Sequence, residues 1–239
     1  MIGRSPRPVI QVAGIRTPEE ARMVAEAGAT HVGFPLCLDV HAEDLPLKDV
    51  RAIVQDLPSF TTPVVITYLD RAVDILSLVH DTDADWVQLH GPVPVLELEK
   101  LIPSRTAGTL TVIKSLIIGP RTANMDREIA ALAPLVDWFI TDTYDPATGA
   151  SGATGKTHDW DVSRRIVEIS PRPVILAGGL NPDNILLAVE TISPQGVDAH
   201  TGLEDERGFK DKKKVRAFVD KARQALARCR TSGISGSGP

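Results

Sequence analysis

Two stretches near the C-terminal end of the sequence carry glycines at spacings that could bind a phosphate. In the first, an apolar run at 174–177 is followed by Gly178 and Gly179, and then by Asn181 and Pro182. The glycines allow a tight turn and leave space for a ligand beside the backbone. Asn181 suits a helix N-cap and Pro182 the first helical position, so that free N–H groups would surround the turn and attract an anion. Alone, this pattern fits a strand-to-helix turn that binds nothing equally well.

The second stretch, at 196–204, predicts another strand followed by a turn at Thr201 and Gly202. In a (β/α)₈ barrel, the loops after strands 7 and 8 frequently form a phosphate site. Two glycine turns at the end of a chain that alternates strands and helices fit that arrangement. The sequence therefore predicts that an anion binds between the two turns, with help from the loop that contains Thr154 and Gly155.

Polar residues also follow the other predicted strands, at the edge where such a barrel carries its active site. Asp142 follows an apolar strand and precedes a long glycine-containing loop at 143–158. Its carboxyl could be a general acid or base, or simply a solvated or capping group. Lys114 could pair with Asp142 or with a substrate phosphate or carboxylate, and His90 could be a base or a histidine hydrogen-bonded at a strand end. The polar residues expected at this edge are Gln11, Asp39, His41, His90, Lys114, Asp142, Thr154, His200 and Thr201. They lack the spacing of metal ligands, and no metal or other cofactor is predicted.

Eight predicted strands alternate with eight predicted helices and would position these residues. The strands are expected at 8–13, 31–36, 63–67, 86–89, 110–115, 138–141, 174–177 and from 196 onward. The helices are expected at 17–27, 47–55, from 70 onward, at 95–102, 122–135, 161–169, from 181 onward and at 212–228. This alternation is typical of a parallel sheet covered by helices, and eight units close it into a (β/α)₈ TIM barrel. A doubly wound open sheet is the alternative.

Local signals place individual helices. Thr17, Pro18 and Glu20 combine an N-cap, a proline at the first helical position and a capping-box glutamate. Asp70 is expected to cap the third helix. The apolar stripe of that helix is expected to contain Val73, Ile75, Leu76 and Val79. The apolar stripe of the last helix is expected to contain Val215, Phe218, Val219 and Ala222.

Composition agrees with one barrel and narrows the possible partners. The 239 residues, 43% of them hydrophobic, match the length of about 250 residues that is typical of this fold. The net charge of −5 gives no reason to expect nucleic acid, and the basic run at 210–214 is interpreted as a solvated helix face.

Cys37 and Cys229 form no disulfide framework, which suits a cytoplasmic protein. No signal peptide or membrane-spanning run is expected. The barrel is expected at 1–230, with a flexible Gly/Ser-rich tail at 231–239.

With these motifs in view, the chain resembles the phosphoribosylanthranilate isomerase family of tryptophan biosynthesis from about residue 9 to 218. The motifs that carry the resemblance lie at 14–21, 87–91, 152–160, 176–184, 196–198 and 210–211. The resemblance implies a (β/α)₈ barrel without a metal and an Amadori rearrangement, in which an aminoaldose phosphate becomes an aminoketose phosphate. It also implies that Asp142 is the general acid. The backbone that would bind the phosphate is that around Gly155, Gly178, Gly179, Thr201 and Gly202.

The sequence departs from the family pattern at two places. The family's general base is a cysteine in a Lys-Ile-Cys-Gly motif, whereas this chain has Gln11, Val12, Ala13 and Gly14. The alanine has no group that accepts a proton. The family's Ser-Pro-Arg segment, whose arginine helps to hold the substrate, is replaced by an acidic stretch at 38–43. The phosphate half of the site is therefore expected to be kept, and the half that recognises anthranilate and removes the C2 proton to be changed.

Three interpretations stay open at this point. The chain could be an isomerase that uses a substitute base on the usual substrate, a related enzyme for another phosphorylated sugar or amine, or a non-catalytic phosphosugar-binding protein. We expect a phosphoribosylanthranilate isomerase-like protein with altered or weak activity. Cys37, His41 and His90 are the substitute bases considered, and Gln11, Lys114 and Thr154 are expected to help bind substrate. The expected partner is a small phosphorylated metabolite, with no nucleic acid or membrane, and the chain would be a monomer or a homodimer.

Overall fold

Eight parallel strands close into a barrel in a computed structural model of the chain, which describes residues 8–38, 45–119, 124–143 and 160–232. The strands are β1 (Val9–Ala13), β2 (His31–Pro35), β3 (Thr62–Thr67), β4 (Trp86–Leu89), β5 (Thr111–Ile118), β6 (Trp138–Thr143), β7 (Val174–Leu176) and β8 (Gly196–Ala199). Each strand pairs with the next one in sequence, and β8 pairs with β1. This closure confirms the predicted (β/α)₈ barrel and excludes the open doubly wound sheet.

Helices follow the strands and cover the outside of the barrel. They are α1 (Pro18–Glu26), α2 (Leu47–Asp56), α3 (Ala72–Thr82), α4 (Val95–Thr106), α5 (Met125–Leu132), α6 (Trp160–Ile169), α7 (Ile185–Ile192) and α8 (Lys212–Ser232). Short 3₁₀ turns follow α5 at Ala133–Leu135 and β8 at Thr201–Leu203. The α8 helix extends two residues into the stretch that was expected to be a tail, and 233–239 lie outside the described residues.

Side chains that point into the barrel are large and apolar at the amino ends of the strands. The rings of His31, Trp86 and Trp138 pack together, with centroid separations of 4.6 Å and 6.0 Å along the row. Gly196 lets β8 lie close to β1 at this level, because a Cβ on it would lie 2.7 Å from the Cβ of Val9. Higher in the barrel the interior becomes polar. The lower half of the described barrel is therefore a packed plug, and the carboxyl ends of the strands are the face where an active site is expected.

The layer between barrel and helices holds the main hydrophobic cluster. The four apolar residues predicted for the last helix, Val215, Phe218, Val219 and Ala222, are fully buried on α8. They pack with β1, β2 and α7 in one cluster. Burying a large aliphatic or aromatic side chain stabilises a fold by about 1.5–3 kcal/mol, so this stripe fixes α8 and the adjoining β8 turn.

The start of α3 differs from the sequence-based prediction. The helix begins at Ala72, and Arg71 at the N-cap makes no side-chain capping bond. The N–H of Ala72 instead donates to Glu97 Oε2 of α4 at 2.9 Å. Asp70 is therefore not the cap, because a carboxylate 25 residues away in sequence takes that role. Val73 was also misplaced: it is 60% exposed, and Ala72, Ile75, Leu78 and Thr82 form the buried face.

Two further helix boundaries, the end of α4 and the start of α7, differ from the sequence-based prediction. The α4 helix continues past Pro103, since the N–H of Ala107 still bonds to the Pro103 carbonyl at 3.0 Å. The α7 helix begins at Ile185 rather than at 182. Asn181 Oδ1 accepts the N–H groups of Asp183 and Asn184 at 2.8 and 3.2 Å. Asn181 thus caps a turn that precedes the helix, and the glycine turn and this capped turn together lead from β7 into α7.

Candidate active site

Polar side chains meet inside the barrel at the carboxyl ends of β4, β6 and β8. Alternation along β4 and β6 directs His90 and Asp142 to the same side as the buried interior residues two positions before them. The described strand ends thus bring the predicted acid Asp142 beside His90. His90 Nδ1 lies 3.3 Å from Asp142 Oδ2, and both side chains are almost buried. Ser115 Oγ lies 3.2 Å from the same nitrogen.

The His90 ring is held in place from a second direction. Tyr68 packs its ring against the imidazole edge to face, with centroids 4.8 Å apart. Aromatic packing and the hydrogen-bond partners together leave the imidazole little freedom to rotate. A buried carboxyl with a fixed imidazole at hydrogen-bonding distance can hold a proton and deliver it in one direction, which is the geometry of a general acid.

Asp198 on β8 is an interior carboxyl that the sequence interpretation left among the strand residues. Burial raises its pKa to about 7, and the charge of Asp142 adds to the rise, while His200 and a hydrogen bond from Gln11 oppose it. Its Oδ1 atom has no hydrogen-bond partner. Counting alternate positions from Gly196 would have placed it inside the barrel. Below this carboxyl, Gln11 Nε2 donates to Gln88 Oε1 at 3.0 Å, so the predicted substrate-binding residue Gln11 is tied to the barrel interior.

The two glycine turns are in direct contact. Gly178 and Gly179 have φ angles of +99° and +65°, which side-chain-bearing residues rarely adopt. A Cβ on Gly202 would lie 2.1 Å from the carbonyl oxygen of Leu180, so only glycine allows the second turn to approach the first. Among the described residues, the N–H groups of Gly178, Gly179, Thr201 and Gly202 have no protein acceptor. These turns present the unpaired donors that an anion needs.

Lys114 lies on the outer side of β5 and donates to backbone carbonyls. Its Nζ is 3.3, 3.0 and 3.0 Å from the carbonyl oxygens of Leu89, Gly91 and Ser115. Burial lowers the pKa of this lysine to about 8. The ammonium ties the end of β4 to β5 and in this way supports the strand that carries His90. Whether it also contacts substrate stays a prediction.

The remaining predicted site residues divide into one that is described and several that are not. Cys37 follows β2 with a φ of +54° and is partly buried against the main hydrophobic cluster. Its carbonyl accepts the N–H of Tyr68 at 3.4 Å. His41 and the acidic Asp39 lie outside the described residues, as does the loop containing Thr154 and Gly155.

A charged group beside β8 corrects the interpretation of the basic run at Lys210, whereas Lys212, Lys213 and Lys214 at the start of α8 are exposed as expected. Lys210 is not on a solvated face: its side chain is fully buried, and its Nζ donates to Glu204 Oε1 at 2.8 Å and to the His200 carbonyl at 3.1 Å. His200 Nε2 lies 3.2 Å from the same glutamate oxygen. Burial alone would raise the pKa of Glu204, but hydrogen bonds with His200 and Lys210 lower it to about 2. The sequence analysis did not predict the group of His200, Glu204 and Lys210. No helix was expected at 200–204, so the four-residue spacing of His200 and Glu204 did not indicate a contact.

Two features of the described part of the chain bear on other kinds of site. No three His, Cys, Asp or Glu side chains within residues 8–38, 45–119, 124–143 and 160–232 are grouped in a way that could hold a metal ion. No helix within those ranges has both the length and the apolar character that crossing a membrane requires.

Sequence comparison relates the chain to known enzymes. Residues 10–221 match the family described as N-(5'-phosphoribosyl)anthranilate isomerase. N-(5'-phosphoribosyl)anthranilate isomerase 2 of Methanosarcina mazei is 39% identical over 230 residues, which cover 94% of this chain and 98% of that protein. The isomerase of Haloferax volcanii is 35% identical, over 90% of this chain and 93% of its own length.

Solved structures agree with the sequence comparison. The phosphoribosylanthranilate isomerase of Thermotoga maritima superposes with a TM-score of 0.76 at 28% identity, over 91% of this chain and 99% of that one. A second structure of such an isomerase, in complex with reduced 1-(o-carboxyphenylamino)-1-deoxyribulose 5-phosphate, gives a TM-score of 0.74 at 25% identity, again over 91% and 99% of the two chains.

Proposed function

The chain belongs to the phosphoribosylanthranilate isomerase family, and we propose that it catalyses the family's Amadori rearrangement with Asp142 as the general acid. The isomerase character and the association with tryptophan biosynthesis come with the family. The assignment of roles to residues is our proposal. The observation that carries it is the placement of Asp142 at the inner end of β6, 3.3 Å from His90, in a barrel whose last two loops form a double glycine turn.

The first chemical step requires a proton at the ring oxygen of the sugar. As the bond from C1 to that oxygen breaks, the nitrogen lone pair forms a C=N bond, and Asp142 gives its proton to the departing oxygen. His90 orients the carboxyl through Nδ1. A positioned acid typically contributes ~10²–10⁴-fold in rate, so this residue should carry much of the ring-opening step.

The double glycine turn anchors the phosphate. Its free N–H groups, at the ends of β7 and β8, would bind the phosphate oxygens, and Thr154 and Gly155 are proposed to help bind them. Binding at a distance from the reacting carbons fixes the sugar relative to Asp142. The related structure with a bound ribulose 5-phosphate derivative supports a phosphorylated small molecule as the ligand here.

The second step removes the C2 proton, and position 13 cannot perform it. Ala13 is buried at the end of β1 and has only a methyl group. Turnover therefore depends on a base from another element, for which Cys37, His41 and His90 were the candidates from sequence. We expect turnover below the ordinary enzyme range of about 1–10³ s⁻¹, because such a base must act from a position that differs from the family's.

The test is a direct assay of purified protein with phosphoribosylanthranilate, comparing the parent with Asp142→Asn. We expect measurable turnover by the parent and a loss of ~10²–10⁴-fold in the variant. Binding of the phosphorylated product analogue, measured by calorimetry on the same samples, separates catalysis from binding. A parent that binds the analogue but shows no turnover contradicts the proposal and favours a non-catalytic phosphosugar-binding protein.

A further inference from the structure

We propose that His200, held by Glu204, is the base that removes the C2 proton in this chain. The inference rests on the proposed isomerase function and supplies the group that Ala13 lacks. It is carried by the position of the imidazole beside the end of β1, by its carboxylate partner and by its partial exposure at the mouth of the barrel.

The His200 ring lies against Gly14, the residue that follows Ala13 at the end of β1. A Cβ built on Gly14 would lie 2.0 Å from His200 Nε2, 2.5 Å from its Cδ2 and 2.6 Å from its Cε1. The ring thus rests on the backbone of the residue that follows Ala13, which has φ +73°. Because residue 14 is a glycine, the imidazole that follows β8 occupies the place where a side chain at position 14 would project.

Glu204 fixes which nitrogen of His200 carries the proton. The 3.2 Å contact between Nε2 and Glu204 Oε1 is a hydrogen bond in which Nε2–H donates, because the glutamate stays ionised over the physiological range with its pKa near 2. A proton on Nε2 leaves the lone pair of neutral imidazole on Nδ1. The acceptor of the C2 proton is therefore His200 Nδ1.

A buried lysine makes this arrangement rigid. Lys210 Nζ donates both to Glu204 Oε1 at 2.8 Å and to the carbonyl of His200 at 3.1 Å. The Lys210 side chain has no exposed surface. Its ammonium holds the Glu204 carboxylate and the His200 backbone, and the carboxylate in turn holds the His200 imidazole. The His200 side chain itself is 27% exposed, so a ligand in the barrel mouth can reach it.

The step balances without any further reactant. The C2–H bond breaks and its proton moves to His200 Nδ1. The electron pair forms a C1=C2 double bond, while the π electrons of the C1=N bond return to nitrogen. The resulting enolamine then takes up a proton at C1 from the imidazolium, while its C2 hydroxyl proton passes to the carboxylate of Asp142, which had given its own proton to the ring oxygen, and the ketone forms. His200 is neutral again at the end of the cycle.

The decisive experiment compares His200→Gln and His200→Ala with the parent, using phosphoribosylanthranilate with hydrogen or deuterium at C2. Glutamine keeps a donor for Glu204 but has no base. We expect kcat to fall ~10²–10⁴-fold with KM little changed, and the deuterium isotope effect on kcat to rise as proton removal becomes limiting. Imidazole added to His200→Ala should restore part of the rate. His80→Gln, an exposed histidine on α3, is the matched control and should behave as the parent does.

A second set of variants keeps the outcome interpretable. Ala13→Cys in the His200→Gln background should recover activity, because a thiol at position 13 returns a base to β1. Glu204→Gln removes the orienting carboxylate and should lower kcat, with a smaller response to added imidazole than His200→Ala. Full turnover by His200→Gln overturns the inference, and a loss confined to Asp198→Asn would move the base to Asp198. A parent with no turnover overturns both this inference and the proposed function.

Discussion

Asp142 at the end of β6 and His90 beyond β4 are joined by a 3.3 Å contact between Oδ2 and Nδ1 at the barrel mouth. Ser115 Oγ on β5 lies 3.2 Å from the same histidine nitrogen. Residues of β5 and of the segment after β4 therefore hold the imidazole that contacts the Asp142 carboxyl. The relationship makes His90 a positioning residue for the proposed acid.

His90→Asn should reduce kcat by reducing the efficiency of Asp142. Asparagine keeps a polar atom near the Nδ1 position but loses the ring packing against Tyr68, and we expect a loss of about 10–100-fold from the poorer orientation of Asp142. The double variant with Asp142→Asn should lose little beyond Asp142→Asn alone, since residues that act as a unit are strongly non-additive. Steady-state rates of the two single variants and the double variant make the comparison. Additive losses would show that His90 acts independently of the acid.

Gly179→Asp tests the double glycine turn. The new side chain would sit at a φ of +65° and place a negative charge among the donors proposed for phosphate. We expect KM and the dissociation constant for the product analogue to rise at least about tenfold, equivalent to about 1.4 kcal/mol. Gly108→Asp is the matched control, because its φ is +73° and open space surrounds its missing Cβ. Equal affinity in the two variants would place the phosphate elsewhere.

Sequence reasoning worked where the signal was local and periodic. Apolar runs of the right length placed β4 at its observed bounds, and the spacing on α8 identified its buried stripe. It failed where the partner is distant or the backbone irregular. Glu97 caps α3 from another helix, and Lys210 is buried only because Glu204 and the His200 carbonyl lie beside it. Neither contact has a trace in local composition.

The same distinction between local signals and distant contacts applies to the candidate site. The glycine turns and Asp142 could be predicted, since each stands directly at the end of an apolar strand. Asp198 could have been found by counting alternate positions along β8. The contact of His200 with Gly14 could not, because it requires the register between β1 and β8, in which Gln11 pairs with Asp198. Such registers are fixed by closure of the whole barrel.

Asp198→Asn should change how stability depends on pH. The pKa of Asp198 is raised in the folded protein from 3.8 to about 7, so between these pH values the folded state binds a proton that the unfolded state has released. The contribution of Asp198 to stability is therefore complete below about pH 4 and is lost as pH rises toward 7, by roughly 4 kcal/mol at most. Urea unfolding of parent and variant at pH 5 and pH 8 measures the effect. A parent and a variant with parallel pH profiles would contradict it.

His31 should act in the opposite direction at the other end of the barrel. Burial lowers its pKa from 6.5 to about 4, and its Nε2 has no hydrogen-bond partner in the ring cluster with Trp86. The unfolded chain takes up a proton as pH falls below 6.5, while the folded chain does not until about pH 4. Stability is therefore lost over that interval on acidification, by roughly 3 kcal/mol at most.

The variant that isolates this effect is His31→Gln, which has no titrating group in either state. Its stability should fall less than that of the parent between pH 7 and pH 4.5, even though its overall stability is lower because the ring packing is lost. His80→Gln on the surface of α3 serves as the control and should follow the parent. Urea midpoints measured every half pH unit give the slopes. If parent and His31→Gln lose stability in parallel across this range, the histidine is protonated in the folded barrel and the apolar plug is not the cause of the pH dependence.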